Sequence, residues 1–231
     1  MNRRAQFAHF LEHKICEYHF LLSEFIIICD RSLENFNTKH EQLEGDGKLI
    51  NYRFSALASQ VQTLKDIVPV LVDKTVAWSD FADVRHTDFM HGARNAMTHD
   101  GNPLVNLWVD GKYYVAGPFV RYDTIKKKTI KVTPPLVDVK TSTLEFTNDL
   151  AIKIHKLIES VASEPEIALP VYGIEFFDKA IQHPAIPQFA KELYVSSDKS
   201  AVNEQDHSRV VKIKTELDTL LAYCSAGLSI K

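Results

Sequence analysis

Residues 3–36 read RRAQFAHFLEHKICEYHFLLSEFIIICDRSLENF. Phe7, Leu11, Ile15, Tyr18, Leu22, Phe25, Cys29, Leu33 and Phe36 recur at three- and four-residue spacing, the repeat of one apolar helix face. Glu12, Glu24, Arg31 and Glu34 mark a second, polar face. One helix of this length runs roughly 50 Å, a bundle strut rather than the short helix of a compact α/β unit.

Downstream, residues 37–50 read as a loop, with Asn37, Gly45, Asp46 and Gly47. Phe54, Leu57, Val61, Leu64 and Val68 define a second amphipathic helix, ended or kinked by Pro69. Trp78 to His99 reads as a third, with Ser79 or Asp80 as N-cap and Asp100-Gly101-Asn102-Pro103 as terminator. The period then changes. Leu104 to Val109 and Lys112 to Val120 flank Asp110-Gly111, a two-residue hairpin signal, and Thr129 to Val132 adds a short third strand. Ser142-Thr143-Leu144-Glu145 reads as a capping box opening a fourth helix lined by Phe146, Leu150, Ile154, Leu157 and Val161. Short helical pieces follow around Ile174–Gln182 and Pro187–Leu193, and a last helix spans about 207–223.

The expected fold is therefore mostly α: an antiparallel helical bundle of four to five main helices, with a small β-hairpin inserted after the third. Residues 1–231 read as a single domain. Its bundle core covers about 3–162, its hairpin 104–120, and a helical extension 165–231.

Composition agrees. The 231 residues are 45% hydrophobic and 25% charged, enough to bury a core without disulfides or metal, and Gly and Pro are too few for collagen-like or low-complexity chains. The longest greasy run, Phe20 to Cys29, is broken by Ser23 and Glu24, well short of the about 20 apolar residues a membrane helix needs. Met1-Asn2-Arg3-Arg4 is followed by no signal-peptide core. Cys16, Cys29 and Cys224 are scattered, which points to a reducing, cytoplasmic compartment. Cys16 and Cys29 read as core thiols. A net charge of −3 excludes broad, nonspecific coating of nucleic acid but not a local basic cleft.

One hexapeptide carries chemistry: Arg94-Asn95-Ala96-Met97-Thr98-His99. An Arg–His spacing alone recurs by chance, but requiring Asn directly after Arg lowers the chance expectation to the order of 0.01–0.02. Arginine offers a planar fork for two phosphate oxygens, and histidine takes and returns a proton near neutral pH. RNA supplies its own nucleophile, the 2′-hydroxyl, so the pair needs no metal to cut a strand. On an ideal helix Arg94 lies about 140° from His99, so one face cannot hold both unless the last turn unwinds or a second subunit contributes. Gly92, Ala93 and Ala96 are small enough to admit a second helix.

Arg94-Asn95-x-x-x-His99 at the end of a bundle helix resembles the signature of the HEPN superfamily. The resemblance covers these six residues and the helical organisation of roughly 1–162. It implies a metal-independent endoribonuclease acting as a homodimer with two facing motifs, without cofactor, in a toxin–antitoxin or phage-defence setting with a cognate antitoxin. Arg94 would bind the scissile phosphate, Asn95 would position it, and His99 would be the general acid/base. The superfamily also implies an alternative, a non-catalytic RNA- or nucleotide-binding or structural dimerisation protein.

Around the hexapeptide, His91 and Thr98 are candidate RNA contacts. His86 and His91 lack His-x-x-x-His spacing, against zinc. Arg121, Lys126, Lys127, Lys128 and Lys131 form one basic cluster, read either as a phosphate-tracking patch or as a solvated strand edge. Trp108, Tyr113 and Tyr114 could stack on bases or serve as cross-strand pairs and core.

Overall fold

The computed structural model describes residues 2–123, 127–200, 204 and 206–229, and these are mostly helical. Helix α1 runs Arg3–Lys39, with Asn2 Oδ1 accepting from the Ala5 amide at 2.9 Å and His40 ending it in a left-handed conformation. Its buried face is the expected stripe from Leu11 to Cys29, but the last turns bury Ser32 and Asn35 instead of Leu33 and Phe36. Both polar groups are satisfied: Ser32 Oγ accepts from Trp108 Nε1 at 3.0 Å, and Asn35 Nδ2 donates to the Glu41 carbonyl at 2.6 Å.

Helix α2 spans Asp46–Val72, starting inside the expected loop. Its first residue is buried because Arg31 of α1 pairs with the Asp46 carboxylate. Pro69 does not end the helix. It sits in the last turn, whose carbonyls have no partner within the helix, and Arg4 donates to one of them, that of Leu71, at 2.6 and 3.1 Å.

The expected helix from Trp78 to His99 is two elements. Trp78–Phe81 is a single 3₁₀ turn, and α3 is Thr87–His99. His86 breaks the run at φ 61°, held there by Glu145 Oε2 2.7 Å from its Nε2. Thr87 Oγ1, bonded to the Phe81 and Val84 carbonyls, seals the intervening turn.

Two antiparallel hairpins follow, rather than one with an added strand. Strands β1 (Leu107–Val109) and β2 (Lys112–Tyr114) meet at Asp110-Gly111, both with positive φ as the tight turn requires. Gly111 lies so close to α1 that a Cβ there would come within 2.9 Å of the Leu33 Cα. Strands β3 (Phe119–Asp123) and β4 (Lys128–Val132) pair with each other in register Phe119↔Val132 through Asp123↔Lys128.

Helix α4 is Val139–Glu159. Its cap is Asp138, which accepts from the Thr141 amide at 3.0 Å; Ser142 is buried inside the first turn, so the expected capping box is not the start. Short helices α5 (Pro165–Ala168), α6 (Ile174–Ala180) and α7 (Gln188–Ser196) precede α8 (Arg209–Ser229). The core does not stop near residue 162. Ile213, Leu217, Leu220 and Cys224 of α8 join it against α4 and α1, and buried Arg209 donates to the Ile167 and Leu169 carbonyls. Helices α6 and α7 bury no residue. Among the described residues no helix is long and apolar enough to cross a membrane.

Candidate functional site

The site forms at the C-terminal end of α3. Phe89, Met90, Ala93 and Ala96 anchor this helix in the core, which leaves Arg94 and Asn95 half-buried and Thr98 and His99 exposed. Gly101, at φ 67°, turns the chain away directly after Asp100.

Arg94 and His99 meet within one chain. Arg94 Nη1 lies 2.7 Å from Asn95 Oδ1 and 3.0 Å from His99 Nε2. The ideal-helix expectation that one face cannot hold both does not stand, because the three-carbon arm of Arg94 spans the angle while the helix stays wound through His99. A guanidinium only donates, so in this contact His99 Nε2 is the acceptor. Asn95 accepts from Arg94 and fixes the orientation of the guanidinium. Arg94 Nε is buried with no hydrogen-bond partner among the described residues.

His91, two turns before His99, stacks on Trp78 at 4.6 Å and 19°. Burial pushes its pKa down to about 4, assisted by the positive charges of Arg121 and Arg94, so it is uncharged at neutral pH. The Tyr122 amide donates to Asp100 Oδ2 at 3.3 Å, which ties β3 to the end of α3. Arg121, half-buried, has its Nε buried without a hydrogen-bond partner among the described residues.

The other expected contacts separate. Thr98 turns to Ser59, with the two hydroxyls 3.3 Å apart. Strand alternation puts Arg121 and Lys128 on one side of the second hairpin and Lys131 on the other. Lys128 lies about 7 Å further along the ladder than Arg121, and Lys127 follows in the turn. Lys126 lies outside the described residues. Trp108 packs edge-on against Phe36 and Tyr113 is buried, so neither offers a free stacking face. Cys16 is exposed rather than a core thiol, and partial burial with a hydrogen bond to Glu216 lifts it to about 11.

Gly92, Ala93 and Ala96 do not wait for a second helix. All three are buried within the chain, and a Cβ on Gly92 would come within 2.6 Å of Val132 Cγ2. The Trp78–His91 stack was not legible, since the sequence puts Trp78 on the core stripe of an unbroken helix. A second polar cluster was also missed: Arg85 binds Asp149 through two nitrogens and Glu145 through a third, beside the His86–Glu145 bond. These residues are about 60 positions apart and carry no local signal. Among the described residues no three His, Cys, Asp or Glu side chains converge as a metal-holding group.

The chain matches no family model, no curated protein and no solved structure.

Proposed function

We propose that the protein is a metal-independent endoribonuclease of the HEPN type. The observation that carries this reading is the contact of Arg94 with His99 Nε2, made in one chain with Asn95 steadying the arginine. A neutral imidazole with a bare Nε2 can accept the proton of an RNA 2′-hydroxyl. As that proton leaves, the 2′-oxygen bonds to phosphorus and the bond to the 5′-oxygen breaks. His99 returns the proton to the departing oxygen. Arg94 faces the charge that builds on the phosphoryl oxygens. The products are a 2′,3′-cyclic phosphate and a 5′-hydroxyl end.

Arg121 and His91, with Thr98, Lys127 and Lys128 further out, are the proposed RNA contacts of this site. The antiparallel-bundle arrangement of α1–α4 belongs to the same proposal. A homodimer, a cognate antitoxin and a toxin or defence role rest on the family resemblance alone, because Arg94 reaches His99 without a second copy.

The test is cleavage of RNA by purified protein in excess chelator. Arg94→Ala or His99→Ala should lower the rate by roughly 10²–10⁴. Absence of cleavage across varied RNAs, or equal activity of both variants, defeats the reading. A pocket beside His91, lined also by Asp88, Gly92 and Arg121, favours one second reading, an RNA- or nucleotide-binding protein that does not cut. Salt-sensitive RNA affinity that survives His99→Ala, with no product, selects it.

A further inference from the structure

The arginines of this protein divide by partner. Arg4, Arg31, Arg53, Arg85 and Arg209 each pair with a carboxylate, and exposed Arg3 lies over the Phe7 ring. Among the described residues no carboxylate pairs with Arg94 or Arg121, and the Nε of each is buried without a hydrogen-bond partner. Both act on the same group, His91, from α3 and from β3. Two half-buried guanidinium groups that share Asp88 as the carboxylate acting on the same ring leave part of their desolvation and mutual repulsion uncompensated.

Beside Arg121 lies a cavity of about 450 Å³, walled by His91, Gly92, Arg121, Ile130 and Val132. Its volume suits one nucleotide. Asp88 and Lys131 also border it, but Lys131 belongs to the other side of the hairpin, so Asp88 is the carboxylate set against Arg121. The close approach of Gly92 to Val132 brings helix and hairpin together beside this cavity.

We propose that this cavity is a second phosphate subsite, in which Arg121 grips the nucleotide flanking the scissile bond while Arg94 holds the scissile phosphate. The inference takes its RNA strand from the proposed ribonuclease reading, but its phosphate chemistry stands without it. Enzyme built this way prefers a dinucleotide carrying an extra flanking phosphate over a bare dinucleoside monophosphate.

Two measurements test it on the full chain. In the first, inorganic phosphate is titrated while the His91 ring resonances are followed by NMR. Phosphate should move them, Arg121→Gln should weaken its affinity about tenfold or more, and Arg121→Lys should retain part of it. In the second, kcat/KM is compared for the bare dinucleotide and for those with a 5′ or 3′ phosphate added. The added phosphate should raise kcat/KM in the native protein, and the Arg121→Gln variant should lose that preference. Ring resonances that phosphate leaves unmoved overturn the subsite. Phosphate binding without any preference between dinucleotides assigns the cavity to free anions and overturns the strand assignment. Phosphate binding at His91 in a protein that cuts no RNA keeps the phosphate site and removes the ribonuclease reading instead.

Discussion

Arg94 Nη1 serves two acceptors at once, Asn95 Oδ1 and His99 Nε2. A phosphate entering the site would take over the guanidinium and free His99, whereas Asn95 keeps its hold from below. Asn95 is thus a positioning residue that acts through Arg94. Asn95→Ala should lower kcat/KM for RNA by about tenfold, the worth of one such hydrogen bond, mostly through KM. Asn95→Asp, which keeps an acceptor oxygen toward Arg94, should restore most of the loss. Equal damage from both variants, or a loss confined to kcat, would assign Asn95 a different role. At this scale the sequence exposed the members of the site but misjudged their reach. Side-chain direction on an ideal helix ignores the length of an arginine. Arg121 was legible only as one charge in a basic run, since nothing local distinguishes an unpaired arginine from its paired neighbours.

Helix α3 and the hairpin β3–β4 meet at Gly92 and Val132. An alanine in a helix interior is normally favoured over glycine by about 1 kcal/mol. Here the new methyl group would lie 2.6 and 2.8 Å from the two Val132 methyl groups. Valine is stiff about χ1 and Val132 is paired to Phe119, so it cannot swing aside without moving the strand. Overpacking of this kind costs about 1–3 kcal/mol, which outweighs the propensity gain. Gly92→Ala should therefore lower the urea midpoint, and adding Val132→Ala should recover part of the loss in a double-mutant cycle. A raised midpoint for the single variant would refute the contact. Elements governed by local chemistry were readable: the α1 stripe through its period, and the Asp110-Gly111 turn through its positive φ values. Elements decided at a distance were not. The break before α3 depends on Glu145 holding His86, and the start of α4 on Asp138 capping ahead of a plausible capping box.

Across the whole molecule, acid should act through half-buried histidines before it reaches the carboxylates. His9, His19 and His91 all have depressed pKa values with burial as the leading cause, and His91 falls to about 4. The charges facing His91 are Arg121, Arg94 and Lys65, opposed by Asp88. Unfolded, each ring takes its proton near 6.5, so below that value the unfolded chain binds more protons than the native one. Stability is then greatest above about 6.5 and falls steadily toward 4, where His91 is finally protonated in the native state. Asp83, Asp149 and Asp206, held below 3.8 chiefly by hydrogen bonds to Lys153, Arg85 and Ser208, extend the loss to lower pH in the same direction. Thermal unfolding followed by circular dichroism should give a melting temperature that declines monotonically on acidification. His91→Gln, which cannot take a proton, should flatten part of that slope between about 6.5 and 4 and leave the descent below it in place. A melting temperature that rises on acidification through this window would mean that these rings are charged in the native fold, and with it the neutral His91 between Arg94 and Arg121 would fall.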